Sequence, residues 1–377
     1  MKLTGGAIVT RALEDEGIEL AFGIPGTHNI ELYDALAESE RVRTVLVTDE
    51  QSASFMADGA WRASGQLACV NVVPGAGLTH ALSGIAEAFL DNVPMLVLGC
   101  GVRRDQPRAF QLHDVDQMAI VRPVVKEAFL VESGERLYDT VRRACAVART
   151  GAPGPVFVEV PVEHYLFRHE AQLPPPGGPG GAAPAQPVDE TAVRRVAELI
   201  RNAKRPLLYV GAGTAGATDH LLRLAELLDA PVSTTFQGKG VFPEEHPLFL
   251  WPGFGATAPP FVRKVADRCD LTVAIGCRFS EVGTGSYALE PKGPLIHVDV
   301  DPSVFDRNFA AEVAVVADAQ AFFAALWEVL DATPRVVDEK VRAEIREGHA
   351  GVWESWLGDV GGELVSPAHL LRSAQHV

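Results

Sequence analysis

Arg43 to Gly65 reads RTVLVTDEQSASFMADGAWRASG, and the fold class follows from how that stretch divides. Val45, Leu46 and Val47 form a short apolar, largely β-branched run, the pattern of a strand buried on both faces. The run stops at Thr48-Asp49-Glu50. Ala53, Phe55, Met56, Ala57, Ala60 and Trp61 then recur at helical spacing, and Gly65 suits the left-handed residue that ends a helix. Glu50 therefore stands at the carboxyl end of a strand, immediately before a helix. Open α/β sheets place their ligands there. A carboxylate in that position is a candidate for proton transfer, although a Glu that opens a helix also simply favours the helix dipole.

The same alternation surrounds it. Upstream, Ala7 to Leu13 has amphipathic spacing, Leu20-Ala21-Phe22-Gly23 is strand-like, and Ile30 to Ala37 is helical. Downstream, Ala68 to Val73, Met95 to Leu98 and Pro155 to Val160 are apolar strands, with a helix from the Pro74–His80 turn through Phe89. Strands alternating with helices imply α/β architecture with a doubly wound parallel sheet. Residues 171–188, AQLPPPGGPGGAAPAQPV, are rich in Pro and Gly without periodicity and read as a linker. A second α/β unit follows: a helix from Glu190 to Ala203, strands at Pro206–Val210, Leu271–Ile275 and Leu295–Val300, and a helix from His220 to Leu228. The expected organisation is two doubly wound parallel-sheet domains, 1–170 and 189–335, joined by the linker and followed by a helical tail, 336–377. In that tail Ser366 is a cap with Pro367 at the first helical position.

At 377 residues, 47% apolar and 22% charged, the chain has core material for about two domains. A net charge of −16 argues against nucleic-acid or anionic-membrane partners. No apolar run reaches bilayer length and the first residues form no signal peptide, so a cytoplasmic protein is expected. Five scattered cysteines without CxxC spacing argue against a disulfide framework or zinc site, and Cys69, Cys100 and Cys277 read as buried thiols. The His, Asp and Glu spacings point to no metal site.

Three Gly-bearing turns follow strands. Gly211, Gly213 and Gly216 make a GxGxxG after a strand, but no acidic residue stands at the right place downstream for a dinucleotide ribose. Gly23 to Gly26 and Gly75 to Gly77 end strands of the first domain, on the sheet edge expected to hold Glu50. His28, His80 and His113 fall at or after these turns, which makes a proton-relay role for one of them plausible.

Gly23-Ile24-Pro25-Gly26, Asp49-Glu50-Gln51 with Ala57-Asp58-Gly59-Ala60, Pro74-Gly75-Ala76-Gly77-Leu78-Thr79-His80, and Ala86 to Pro94 resemble thiamine-diphosphate enzymes. The similar group is the acetolactate synthase-like one, which includes acetolactate synthase, benzaldehyde lyase and 2-oxo acid decarboxylases. Phe110-Gln111, Arg122-Pro123-Val124-Val125-Lys126 and Gly154-Pro155-Val156 continue the resemblance. Gly276-Cys277-Arg278-Phe279 and His297-Val298-Asp299-Val300-Asp301-Pro302 resemble the family's central domain.

The resemblance implies a pyrimidine-binding domain followed by a Rossmann-like central domain, acting on a 2-oxo acid with thiamine diphosphate. By the same resemblance, Glu50 hydrogen-bonds N1′ of the aminopyrimidine and promotes the imino tautomer that activates the thiazolium. Ile24, Pro25 and Gly26 line the pyrimidine pocket, with Gly77, Thr79 and His80 on the next turn; acetolactate synthases usually carry Asn where His80 stands. Gln111 resembles the glutamine near the reacting carbon, and His28 a histidine of benzaldehyde lyase-like members. His113 is added as a fourth candidate in the catalytic set.

Such enzymes hold the diphosphate through Mg²⁺ with a GDG motif and a later Asn pair in a third domain. Here the only Gly-Asp is Gly358-Asp359, and no Asn pair occurs. The expectation is a split enzyme whose diphosphate domain is a separate subunit, in a dimer or hetero-tetramer. A degenerate protein, or a truncated chain, that keeps the fold without catalysis is the alternative; retention of Glu50 and Gln111 favours the first. FAD, bound by acetolactate synthases in the central domain, is allowed as a further cofactor through Gly211, Gly213 and Arg278. A nucleotide-dependent dehydrogenase resting on the Gly211–Gly216 turn is the third reading.

Overall fold

A computed structural model describes residues 2–106, 108–175, 187–358 and 365–374. It divides into two compact units, Met1–Pro184 and Ala185–Val377. Most of the expected linker, 176–186, and Asp359 with the residues up to 364 lie outside the described residues.

In the first unit the elements run β1 (Lys2–Thr4), α1 (Gly5–Asp15), β2 (Leu20–Gly23), α2 (Ile30–Ala37), β3 (Arg43–Leu46), α3 (Glu50–Ser64), β4 (Cys69–Val72) and α4 (Ala76–Leu90). There follow β5 (Met95–Gly101), α5 (Gln117–Val121), β6 (Glu127–Leu130), α6 (Leu137–Arg149), β7 (Pro155–Pro161), α7 (Val162–Leu166) and β8 (Arg168–Glu170). Six strands make one parallel sheet in the order β3-β2-β4-β5-β7-β6, while β1 and β8 pair antiparallel as a separate ribbon. Alternate residues of the central strands face opposite layers. Cys69, Leu96 and Leu98 join α1 and α6 in one core; Val70, Met95 and Val97 join α3 and α4 in the other.

Local chemistry sets the ends of α3. Asp49 Oδ1 accepts the Gln51 N–H at 2.9 Å as the N-cap. Gly65 closes the helix at φ +70°, its N–H donating to Trp61 O at 2.7 Å. The Val45–Val47 run is corrected: β3 is an edge strand and not buried on both faces, and Leu46 is 68% exposed. Hydrophobicity alone does not distinguish an edge from a centre, because both want β-branched residues.

The second unit holds α8 (Glu190–Asn202), β9 (Pro206–Val210), α9 (Thr218–Leu228), β10 (Val232–Thr234), β11 (Phe249–Pro252), α10 (Pro260–Ala266), β12 (Leu271–Ile275), β13 (Leu295–Asp299) and β14 (Val313–Val316). Three helices, α11 (Ala319–Val329), α12 (Glu339–Gly358) and α13 (Pro367–Ala374), complete it. Its sheet is parallel throughout, in the order β11-β10-β9-β12-β13-β14. Helices α8, α9 and α11 cover one face, and α10 with Ile345 of α12 packs on the other.

The Gly211–Gly216 turn does not open a helix. Residues 212–214 form a 3₁₀ turn and α9 begins only at Thr218. A Cβ at Gly211 would lie 2.0 Å from Gly276 O, and one at Gly213 would lie 2.7 Å from Gly276 Cα. These glycines let the loops after β9 and β12 touch, so the dehydrogenase reading loses the phosphate-cradling helix N-terminus on which it rested.

Candidate cofactor and substrate site

All six strands of the first sheet point the same way, so the loops after β2, β3, β4 and β5 gather at one edge. The turn after β2 is knitted by Asn29, which is fully buried: the Gly26 N–H donates to Asn29 Oδ1 at 2.6 Å, and Asn29 Nδ2 donates to Ile24 O at 3.3 Å. Ile24 thereby packs partly buried on the α3/α4 core, with Pro25 exposed beside it.

Val73 joins that turn to the next. A Cβ at Gly26 would stand 2.5 Å from Val73 Cγ1, and one at Gly77 would stand 2.7 Å from Val73 Cγ2. Any larger residue at either place would drive the turns apart. Gly77 also lies under the Glu50 carboxyl, its Cβ position only 3.2 Å from Oε1. Glu50, at the first position of α3, is 14% exposed, and its Oε2 is 3.2 Å from His80 Nδ1. The same imidazole nitrogen lies 3.1 Å from Asp49 Oδ1. His80 therefore holds one oxygen of Glu50 while the other faces the space over Gly77. Asp49, Glu50 and His80 together bring three potential ligand atoms within 4.8 Å of one another, a grouping that chain spacing conceals.

The remaining candidates form a second group. The His28 and His113 rings are 5.9 Å apart between centroids, and burial, with His113 beside it, holds the His28 imidazole below its ordinary range. His113 also abuts the β4–α4 turn, where a Cβ on Gly75 would meet it at 3.2 Å. Gln111 Nε2 donates to Arg103 O at 2.9 Å. Gln111 and His113 line a cavity of about 300 Å³ with Pro74 and Glu159. Phe110 and His113 both have positive φ, +61° and +65°, and Phe110 is fully exposed. Such conformations in residues with a Cβ cost energy and concentrate at ligand sites. Thr79 lies apart from both groups: its hydroxyl donates to Ala76 O of its own helix at 3.1 Å and faces solvent.

Asp49, Asn29, Val73 and the Arg104–Glu159 pair were not among the sequence candidates. A Glu inside the apolar Val156–Val160 run was the one available signal. Glu159 is 4% exposed and accepts from Arg104 Nη2 at 2.5 Å. Burial pushes its carboxyl above the ordinary range, against the pull of Arg104.

In the second unit, Asp299 ends β13, is 7% exposed, and accepts the Asp301 N–H at 3.0 Å. Burial pushes its carboxyl up to about 6. The unfolded chain releases that proton near pH ~4, so stability tied to the protonated form is full below ~4 and is lost as pH rises through about 6. Asp299→Asn is expected to exceed the wild type in stability at neutral pH by about 2 kcal/mol. The difference should close toward pH ~4 in urea unfolding; curves that stay parallel across this range would contradict the assignment.

Two parallel doubly wound units, the first with a carboxylate and paired glycine turns at its carboxyl edge, define a class. Residues 3–120 match the thiamine pyrophosphate enzyme N-terminal TPP binding domain, and residues 193–326 match the central domain of the same enzymes. The chain belongs to the thiamine pyrophosphate enzymes, as their N-terminal and central domains. It is 34% identical over 330 residues to a probable acetolactate synthase large subunit of Methanocaldococcus jannaschii, covering 84% of this chain and 54% of that protein. It is 32% identical over 324 residues to the acetolactate synthase large subunit of Haemophilus influenzae, covering 85% and 56% respectively. With the acetolactate synthase isozyme 1 large subunit of Escherichia coli the identity is 31% over 346 residues, covering 92% and 61%. The chain spans about half the length of the curated relatives it matches. No helix among the described residues is long and apolar enough to cross a membrane.

The residues at the edge fit a thiamine pyrophosphate pyrimidine. The missing Cβ of Gly77 leaves open the space beside Glu50 Oε1 that any other residue would fill.

Proposed function

We propose that the protein is the pyrimidine-side and central portion of a thiamine-diphosphate-dependent carboligase or decarboxylase of the acetolactate synthase type. Its substrate is a 2-oxo acid and its compartment the cytoplasm. A separate subunit holds the diphosphate and Mg²⁺, in a dimer or hetero-tetramer. Glu50 carries this reading: a largely buried carboxylate at the sheet edge, one oxygen held by His80 and the other free over Gly77.

The cofactor, when bound, supplies an electron sink for chemistry at the 2-oxo carbon. The chain's own residues do the rest. Ile24, Pro25 and Gly26 wall one side of the pyrimidine space, and Gly77 forms the other. Glu50 would hold the pyrimidine and can take or return a proton at Oε1, while His80 keeps the carboxyl from rotating. His28, whose imidazole burial holds below its ordinary range, and His113 stand toward the substrate and can take or return a proton. Gln111 orients the reacting group. FAD on the central unit belongs to the same reading, and flavin absorbance of the purified protein reports it.

In this reading the diphosphate and Mg²⁺ anchor on a second subunit. Titration calorimetry of thiamine diphosphate with Mg²⁺ tests it, on this chain alone and mixed with a candidate diphosphate-domain subunit. Binding is expected only in the mixture. Tight binding by the chain alone would relocate the anchor, and no binding in either would favour a non-catalytic protein that retains the fold.

A further inference from the structure

A clamp on Glu50 needs one hydrogen-bond donor, and His80 offers more than that. Its Nδ1 lies 3.2 Å from Glu50 Oε2 and 3.1 Å from Asp49 Oδ1, so one ring nitrogen serves two carboxylates. Asp49 is itself fixed by the start of α3: Oδ1 caps the Gln51 N–H, and Oδ2 accepts from Ser52 Oγ at 3.2 Å. The ring is 56% exposed, and among the described residues its Nε2 has no hydrogen-bond partner. An imidazole can take a proton on one nitrogen and release one from the other.

Glu50 has the matching property. Oε2 faces His80, while Oε1 faces the space over Gly77. A ligand seated over Gly77 covers Oε1, on a side chain that is only 14% exposed to begin with. A proton gained or lost there is then balanced at Oε2, which meets an imidazole whose other nitrogen is open to water. Among the described residues, Asp49 and Glu50 are the ionisable groups paired with the ring. Tyr33 of α2 feels the Glu50 charge, and His113 abuts Gly75 at the start of α4.

We propose that His80 conducts protons between water and Glu50, keeping the carboxyl in exchange with solvent while the cofactor covers it. His80 acts through Glu50 and is in that sense a positioning residue. Inward, the Nδ1 proton passes to Oε2 as Nε2 takes one from water, and the carboxyl releases one from Oε1; the ring is left as its Nε2–H tautomer. Outward, Oε1 takes a proton, Oε2 returns one to Nδ1 and Nε2 releases one to water, which restores the starting ring. Only N–H and O–H bonds form or break, and no charge accumulates. This inference rests on the cofactor reading above and deepens it.

Two measurements test it. On the chain alone, ¹⁵N NMR of labelled histidine at pH ~9, where ordinary imidazoles are neutral, reads which nitrogen carries the proton. Loss of the signal in His80→Asn assigns it. The Nδ1–H form is expected; a resting Nε2–H form would overturn the proposal, since no proton would then stand between ring and carboxyl. In the assembled enzyme, quenched-flow NMR follows exchange of the thiazolium C2 proton of bound thiamine diphosphate for deuterium. His80→Asn keeps a donor for Oε2 but relays nothing, and should slow exchange about tenfold or more with cofactor affinity unchanged. His80→Ala should be as slow, and added imidazole should restore part of the rate. Wild-type exchange in His80→Asn overturns the proposal. So does slowing matched by an equal loss of cofactor affinity, which would make His80 a clamp alone. Failure to bind thiamine diphosphate even with the partner overturns the cofactor reading and the relay with it, whereas binding with wild-type exchange in His80→Asn overturns the relay only.

Discussion

Glu50→Gln is expected to lower turnover of the assembled enzyme by roughly 10²–10⁴-fold while leaving the fold intact. Glutamine keeps the size of the side chain at a 14% exposed position, so the cradle over Gly77 stays filled as before. It loses the ability to exchange a proton through Oε1. The structural cost is small, because an acidic residue in the first turn of α3 contributes at most about 1 kcal/mol through the helix dipole. The charge it removes also stands close to Asp49, with His80 between them. Thermal unfolding should therefore move by no more than a few degrees. Measured together, kcat and the unfolding midpoint separate the two effects; a fully active variant would sink the assignment of Glu50.

The second large effect concerns stability, far from the chemistry. Glu16, 1% exposed at the end of α1, pairs with Arg142 and Arg149 of α6. Arg149 Nη2 also donates to Glu16 O at 2.9 Å. The same seam continues through Asp15, which is fully buried and accepts from Arg11 Nε and Tyr138 Oη, both at 2.8 Å. Arg142 Nη1 donates to the Tyr138 hydroxyl at 2.9 Å, which ties the two halves together. Removing Glu16 leaves two cations without their buried partner, a change that costs 3–5 kcal/mol in closed interiors. Both arginines are about one-fifth exposed, so Glu16→Ala is expected to lose about 3 kcal/mol, near the lower bound. Urea unfolding followed on the first unit measures it. A loss below about 1 kcal/mol would mean that the seam is solvated like a surface pair. Because α1 and α6 pack on the face of the sheet opposite α3 and α4, cofactor binding should survive wherever the variant is folded.

These two positions differ in how plainly the chain announced them. Glu50 follows a β-branched run and precedes a helical apolar period, so its place at a strand end was legible from spacing alone. Gly65 as the left-handed stop was equally local, being set by backbone chemistry within a few residues. Glu16 carried no such signal. Its partners are over a hundred residues away on α6, and a Glu before Gly17 looks like any solvated helix end.

The edge position of β3 was illegible for a related reason. Strand order is decided by which crossovers pack, and Val45 has the same propensity in the centre of a sheet as at its rim. The Gly211–Gly216 turn shows the converse, a motif that matched locally and was reassigned by its neighbours. Only Gly276, arriving from the end of β12, reveals that Gly211 and Gly213 serve loop packing.

By itself the sequence determined the doubly wound class, most of the helices and strands, and the candidacy of Glu50, because each rests on periodicity or capping within one segment. Tertiary structure alone decided that His80 grips Glu50 and that Val73 locks Gly26 against Gly77. It also decided that Gln111, His113 and Arg108 share one cavity. The first two join residues from different βα loops at distances set by sheet order, and the third depends on the path of the one loop between β5 and α5; no local pattern encodes either.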